Sequence, residues 1–314
     1  MSGGPDPIVR RQVCWHRPPR LLVHLLMLLA AVLVSTSFTV GAAVTAALDP
    51  AVLTLIRFIV AALVMAPIVY LRGELHFSWN FTGRCAIISG ALVIFFWCMF
   101  LALRYTSALN TSVIFTLVPP LSGIYAWFLL RERLPRAQLG ALFFGMVGAL
   151  WVISRGDLGL LWAMHWNRGD LIFLAGCLAM GLYAPLIKLF HRGESMLAMS
   201  FWVLVTGCGW LLLLGGGRIA AVSWPTIALS TWLAIGYLAV FTTVITFFLT
   251  QFCVTFIGPT QVTAYSYLYP TLVLLIELFL GHGLPPPAVL PGVAVVLLAM
   301  VVLQFAPSDG PAGR

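Results

Sequence analysis

The stretch SVIFTLVPPLSGIYAWFLLRERLP, residues 112–135, has a counterpart in VTAYSYLYPTLVLLIELFLGHGLP, residues 262–285. The two align without a gap at an offset of 150 residues (262 minus 112), so that Pro120 meets Pro270 and Leu134-Pro135 meets a second Leu-Pro. The first copy ends in the charged letters RERLP, whereas the second ends in GHGLP. Because arginine is depleted from loops on the outer side of a membrane, this loss predicts a second copy that crosses in the opposite direction. The pair therefore predicts two repeats of inverted orientation.

Composition places the whole chain in a membrane. Of its 314 residues, 61% are hydrophobic and 8% are charged, against about 25% charged residues in a soluble domain. The apolar runs are about 20 residues long, which is the length of a transmembrane helix and not of a barrel strand. The net charge of +8 comes from basic residues spread over short loops, with no patch that would bind nucleic acid. The predicted fold class is an all-α polytopic membrane protein.

Proline, glycine and charge clusters divide the chain into ten predicted spans, five in each repeat. The short connections between them leave no room for a soluble domain. The first apolar run is too long for the core of a cleaved signal peptide, so it is predicted to be the first span. The approximate bounds of the ten spans are 21–46, 50–71, 83–103, 107–130, 137–154, 169–189, 195–214, 228–251, 258–280 and 287–306.

The lysines and arginines of the loops predict that both termini are cytoplasmic. With the N-terminus inside, twelve of these residues fall in inner segments and four in outer loops, which is the bias that the positive-inside rule requires. The inner residues are Arg10, Arg11, Arg17, Arg20, Arg72, Arg84, Arg131, Arg133, Arg136, Lys188, Arg192 and Arg314, and the outer ones are Arg104, Arg155, Arg168 and Arg218.

Two stretches carry a family resemblance: DPAVLTLIRFIVAALVMAP, residues 49–67, and TSALNTSVIFTLVPPLSGIYAWFLLRERLPRAQLGALFFGMVGAL, residues 106–150. They resemble the drug/metabolite transporter superfamily, specifically its EamA-type permeases of ten helices in two repeats. The second half departs from the family pattern, because His282 replaces the usual acid and Glu277 lies five residues earlier. The resemblance implies a bacterial inner-membrane protein that moves small metabolites without ATP.

On this resemblance the chain divides into four parts. They are a basic cytoplasmic segment (1–20), a first EamA-like repeat (21–154), a second EamA-like repeat (155–306) and a cytoplasmic tail (307–314). The expected partners are a small-molecule substrate and the lipid bilayer. The sequence does not decide between a monomer and a homodimer.

Prolines inside the spans predict breaks that shape a central cavity. Pro120 and Pro270 lie at matching repeat positions, and Pro185 lies inside span 6. Proline removes a backbone donor, and the freed carbonyls are tolerated in a membrane only against protein or a watery cavity. A packing kink is the alternative interpretation. Further candidates for the wall of a substrate pathway are Trp97, Thr111, Thr116, Tyr183, Gln251, Tyr265 and Ser266.

Two charged residues inside the spans are the sharpest functional candidates. Arg57 lies seven residues into span 2, about 10 Å deep at 1.5 Å per residue. There it would meet a substrate carboxylate or an acidic partner, or else reach the outer headgroups. Glu277 is the only Asp, Glu, Lys or Arg between Ile219 and Ser308. It would be a gate or a proton-coupling site if it is paired or protonated, and an ordinary interfacial acid otherwise.

The predicted function is secondary transport, with export of a small polar metabolite such as an amino acid or an amino-acid-derived compound, a class that includes zwitterionic metallophores. Efflux of amphipathic drugs is an alternative that the aromatic residues favour. A non-transporting membrane scaffold or sensor is an alternative from another class. The sequence contains no P-loop, GxSG serine, HExxH or metal-like spacing, so we expect no enzyme activity, cofactor or metal site.

Overall fold

The structure is a computed structural model that describes residues 18–45, 48–106, 111, 114–131, 135–154, 156–157, 159, 167–279 and 287–305. These residues form helices joined by short turns, and no strand occurs among them. Six of their helices are long and apolar enough to cross a membrane, and shorter apolar helices supply further spans. The predicted all-α polytopic fold class is confirmed.

The helices follow the predicted spans. Their bounds are α1 Arg20–Val44, α2 Pro50–Leu71, α3 Trp79–Ala102, α4 Val118–Leu130, α5 Arg136–Ile153, α6 Arg168–Phe190, α7 Met196–Ile219, α8 Leu229–Ala239, α9 Thr246–Ile257, α10 Pro259–Ala264, α11 Tyr269–Phe279 and α12 Leu290–Phe305. A π-helical segment, Val240–Ile245, joins α8 to α9 within span 8. A 3₁₀ segment, Tyr265–Leu268, joins α10 to α11 within span 9.

Local sequence determines several helix ends. The carboxylate of Asp49 accepts a hydrogen bond from the first turn of α2 at 3.0 Å, and Pro50 needs no donor at that position. Asn167 begins α6 through a capping box with Asp170. Gly258 adopts a positive φ of 82° between α9 and α10, so the chain reverses there without a longer loop.

Successive spans run in alternating directions, so the loops collect at two ends of the bundle. We name the end at which α1 begins the proximal end, and the opposite one the distal end. At the distal end Arg218, in the last turn of α7, pairs with Asp49 at the start of α2. At the proximal end Ser195, which precedes α7, donates a hydrogen bond to Glu74, which follows α2. The two helices are therefore antiparallel neighbours over their whole length.

The helix contacts repeat when the first five spans are exchanged for the last five. Three helices of the first repeat pack against the equivalent span of the second repeat: α2 against α7, α5 against α12, and α4 against α10, which is the first half of span 9. The contact of α3 with α6 corresponds to that of α1 with α9, which is also present. Because each repeat holds an odd number of alternating spans, the second repeat runs opposite to the first. The predicted inverted repeat is confirmed.

Spans 4 and 9 are interrupted at matching places. A turn at Thr116–Leu117 precedes α4, whose first turn contains Pro119 and Pro120. The 3₁₀ segment precedes α11, whose second residue is Pro270. The first turn of a helix tolerates proline because its N–H groups have no helical partner. These prolines therefore mark helix restarts, whereas α6 continues unbroken through Pro185.

Candidate transport cavity

A cavity lies where the interrupted spans meet α1, α3, α6 and α9. About 780 Å³ in this region is not filled by protein atoms, and part of that space is open to the surroundings. About 80 Å³ of this space admits the centre of a water molecule, so the cavity is narrow in this conformation. Its wall consists of Met27, Val34, Ser37, Leu92, Phe95, Phe96, Met99, Phe115, Val118, Met180, Tyr183, Ala184, Thr242, Thr246, Phe247, Thr250, Val262, Thr263, Ser266 and Tyr269.

The wall is mainly apolar and aromatic, and hydroxyl groups supply most of its polar character. None of the wall residues carries a formal charge. The rings of Phe95, Phe96 and Phe247 form a cluster, with centroids 5.2 Å apart for the first two and 6.1 Å apart for the last two. An isolated ion that enters such a wall loses hydration without gaining a counter-charge, which is costly. The wall therefore suits a solute with an apolar body and a few hydrogen-bonding groups.

The interrupted backbone of spans 4 and 9 forms part of this wall. Phe115 and Val118 flank the turn in span 4, while Ser266 lies in the 3₁₀ segment of span 9 and Tyr269 at its end. The hydroxyl oxygen of Ser266 is buried, and no described residue forms a hydrogen bond with it. Non-helical backbone at membrane depth is tolerated where it lines a cavity. A solute in the cavity can therefore supply the hydrogen bond that Ser266 lacks.

Arg57 lies one layer behind the wall. Only 1% of its surface is exposed, so it does not reach out to the headgroups. Its Nε donates to the hydroxyl of Thr243, and its Nη2 donates to the hydroxyl and the carbonyl of Thr242, both at 3.0 Å. Both threonines belong to the π-helical segment, a distortion often found at functional sites. The guanidinium carbon stands 4.5 Å from the ring centre of Phe96, which separates it from the cavity.

The hydrogen bonding of Arg57 is incomplete. Its Nη1 is buried and has no partner within the part of the chain that the structure describes. An unsatisfied buried donor costs about 1–3 kcal/mol, or more when it is charged. The hydroxyls of Thr242 and Thr243 also donate to the carbonyl of Leu238, at 2.9 and 2.8 Å. Neither threonine therefore depends on Arg57 to satisfy its own donor.

A buried network holds Tyr183 in place at the wall. The side-chain amide of Gln251 donates to the Tyr183 hydroxyl at 3.3 Å, and Ser200 donates to the Gln251 carbonyl at 2.9 Å. Gln251 and Ser200 are fully buried. These hydrogen bonds link Tyr183, Gln251 and Ser200, so the tyrosine ring is oriented by helices α6, α7 and α9 together.

The structure brings some of the sequence-predicted site residues to the cavity and places others elsewhere. Tyr183 and Ser266 lie in its wall. Gln251 stands directly behind Tyr183, and the hydroxyl of Tyr265 is bonded instead to His24 at 2.9 Å. Outside the wall lie Trp97, Thr111, Thr116, Pro120 and Pro270.

Glu277, the predicted gate or proton-coupling site, belongs to α11. Its side chain is outside the part of the chain that the structure describes. Its pairing with Arg57 therefore stays a prediction.

Several wall residues were not singled out from the sequence. Phe115 and Tyr269 had a usable signal, because each lies within four residues of a proline at a repeat-related break. Phe95 and Phe96 precede Trp97, which was a candidate, but periodicity alone does not tell a wall residue from a lipid-facing one. Phe247 carries no sequence signal of this kind.

Polar contacts link the helices at the proximal end. Arg84, in the first turns of α3, forms an ion pair with Glu194 and donates to the carbonyl of Phe190. Burial raises the pKa of Glu194, but hydrogen bonds from Arg84 and from the backbone amides of Arg192 and Glu194 outweigh burial and hold that pKa below its ordinary value. The cluster ties the turn between α6 and α7 to α3.

Polar contacts also occur at the distal end. Arg218 pairs with Asp49 at 2.9 Å, and Arg104 donates to the carbonyl of Leu48 at 2.7 Å. These four residues border a pocket with about 1190 Å³ of space, which is continuous with the surroundings of the protein.

Comparisons with known proteins agree with this architecture. Residues 21–154 and 167–305 each match the EamA-like transporter family. The uncharacterized transporter YyaM of Bacillus subtilis (strain 168) is 25% identical over 280 residues, which cover 88% of this chain and 92% of that protein. An uncharacterized transporter of Archaeoglobus fulgidus is 25% identical over 257 residues, covering 79% and 85% respectively. A solved crystal structure of 20% identity shares the fold with a TM-score of 0.70 over 91% of this chain and 98% of that chain. The chain is a polytopic membrane protein that belongs to the EamA-like transporter family.

Proposed function

We propose that this transporter exports a small amphipathic metabolite of the amino-acid type, one with an apolar side group and a few hydrogen-bonding groups. The observation that carries this proposal is the uncharged wall of the cavity, in which aromatic rings alternate with hydroxyls. Rings provide apolar contact area, and hydroxyls donate or accept as the solute requires. Among the predicted substrates, amino acids with apolar side chains fit this wall better than strongly polar metallophores.

The inverted repeat supports a mechanism of alternating access. Both interrupted spans contribute to the cavity, and they are related by the exchange of the two repeats. If each repeat adopts in turn the conformation of the other, the cavity opens first to one end and then to the other. In this mechanism Pro120 and Pro270 mark the points at which the two spans bend, and Tyr183 and Ser266 contact the solute.

Orientation and location follow as part of the proposal. The excess of lysine and arginine at the proximal end supports cytoplasmic termini in a bacterial inner membrane. A reporter domain fused after Pro287 would then lie on the periplasmic side. Cytoplasmic activity of that reporter would contradict the orientation.

Efflux of amphipathic drugs is the second candidate function. The clustered rings of Phe95, Phe96 and Phe247 favour it, because they bind flat apolar molecules with little directional requirement. The small space accessible to water in this conformation favours the smaller metabolite instead.

The proposal is tested by comparing metabolites inside and outside cells that contain the protein, lack it, or contain a variant with a filled cavity. Ala184→Trp serves as the filled variant, because Ala184 lies in the wall and is 1% exposed. Accumulation of an amino-acid-like metabolite inside the cells that lack the protein, restored by the original but not by Ala184→Trp, supports export. Identical metabolite distributions in all cells, together with unchanged drug tolerance, would favour a non-transporting membrane protein.

A further inference from the structure

The guanidinium of Arg57 has two adjacent donors left over. Of the five N–H groups of arginine, one on Nε reaches Thr243 and two on Nη2 reach Thr242. The remaining two are on Nη1, which is buried and has no hydrogen-bond partner among the described residues. An unused nitrogen of a charged guanidinium is suited to bind a carboxylate oxygen through a charge-assisted hydrogen bond.

The positive charge of Arg57 has no counter-charge among the residues that the structure describes. Throughout the part of the chain that the structure describes, no carboxylate contacts this side chain. Asp49 pairs with Arg218 and Glu194 pairs with Arg84, at the two ends of the bundle. A buried charge is normally paired with an opposite charge. Arg57 is therefore prepared for a carboxylate that the described residues do not supply.

Phe96 is the barrier between this charge and the cavity. Its ring lies 4.5 Å from the guanidinium carbon on one side and forms part of the cavity wall on the other. Thr242 reaches both, because it binds Arg57 and also lines the cavity. Arg57 thus contacts two residues of the cavity wall, Phe96 and Thr242.

We propose that Arg57 is the carboxylate-binding group of the cavity and that Phe96 covers it until a solute enters. This inference rests on the proposed function and specifies its substrate class as a carboxylate with an apolar body. The apolar body contacts the aromatic wall, while the carboxylate turns Phe96 aside and pairs with Nη1. In the empty protein the ring occupies that place, which shields the charge through a cation–π contact.

The test compares two probes that differ only in charge, 3-phenylpropionate and its neutral amide 3-phenylpropionamide. Dissociation constants are measured on the purified full-length protein from the shift of its thermal unfolding with ligand concentration. We expect the acid to bind roughly 10-fold or more tightly than the amide, which corresponds to the lower end of the couplings measured for close charge pairs. In Arg57→Met the ratio of the two constants should fall to about one, and in Arg57→Lys it should be intermediate because the planar fork is lost.

Two further variants distinguish the proposed covering of Arg57 by Phe96 from a general effect of aromatic rings in the cavity wall. Phe96→Leu removes the ring over Arg57 and should strengthen binding of the acid relative to the amide. Phe95→Leu is the matched control, because Phe95 lines the cavity without contacting Arg57, and it should change both constants alike.

Equal binding of acid and amide to the unmodified protein, or an unchanged ratio in Arg57→Met, overturns the inference and leaves the transporter proposal standing. Absence of binding by both probes overturns the inference as well. The transporter proposal is then decided separately by the metabolite comparison.

Discussion

Replacement of Gly148 by alanine should weaken the contact between α5 and α12 that joins the two repeats. A Cβ at this position would lie 3.0 Å from the carbonyl oxygen of Gly292 and 3.0 Å from methyl groups of Val295 and Val296. Contacts this short require the neighbours to move, and one of them is backbone. Gly140, on the same helix, is the matched control, since a Cβ there meets nothing within 4 Å.

The expected magnitude follows from two opposing effects. Alanine is favoured over glycine in a helix by about 1 kcal/mol at either position. Overpacking costs about 1–3 kcal/mol, and it applies only at Gly148. Gly140→Ala should therefore be neutral or stabilising. The free energy of unfolding of Gly148→Ala should be about 1–3 kcal/mol below that of Gly140→Ala, which corresponds to a few degrees in the unfolding midpoint.

The assay is thermal unfolding of the two variants and the unmodified protein in the same detergent. Both variants gain the same helix propensity, so the difference between their unfolding temperatures reports only the contact of residue 148 with α12. If Gly148→Ala unfolds at or above the temperature of Gly140→Ala, the close approach of α5 and α12 is not part of the native packing, and the reasoning is refuted.

Three further predictions follow from the site and the proximal end. Arg57→Met should leave the free energy of unfolding within about 2 kcal/mol of the original, because the threonines that Arg57 contacts retain other hydrogen bonds; a much larger loss in thermal unfolding would assign Arg57 a structural role. The unmodified protein should be more stable than Glu194→Gln, with the full difference in unfolding free energy at neutral pH and a smaller one as the pH falls below 4.5. The reason is that Arg84 and backbone donors hold the pKa of Glu194 below that ordinary value. A pH-independent difference in unfolding midpoint would contradict this linkage. Pro270→Ala should reduce transport several-fold while membrane abundance is retained, since the restart of α11 shapes the cavity; unchanged export would leave this proline as a packing feature.

Much of the fold could be predicted because membrane helices are encoded locally. Apolar length and loop charge determine the spans and their alternation, and the gapless match of residues 112–135 with 262–285 reveals the repeat. Proline removes a backbone donor whatever surrounds it. The interruptions near Pro120 and Pro270 were therefore accessible from sequence, although the breaks begin a few residues before each proline.

The rest depends on contacts between distant residues. Only the partners of Arg57 decide whether its side chain is buried or reaches the headgroups. These partners belong to a π-helical segment that begins 183 residues later in the sequence (Val240 minus Arg57). Pro185 shows the opposite limit, because the same residue type that follows a break in span 9 is accommodated within a continuous α6. The aromatic wall was missed for the same reason: in a chain rich in phenylalanine, only packing determines which rings face the cavity.

The measurement that tests the central claim most directly is the accessibility of a cysteine placed at Ser266, whose hydroxyl is an unpartnered group of the cavity wall. A small membrane-impermeant thiol reagent is applied to right-side-out and to inside-out vesicles. Ser200→Cys, buried behind the wall, is the control, and the unmodified protein gives the background of the native cysteines. The account predicts that Ser266→Cys is labelled from both sides, well above Ser200→Cys. Labelling from neither side, or from one side only under every condition, would contradict a cavity that opens alternately across the membrane.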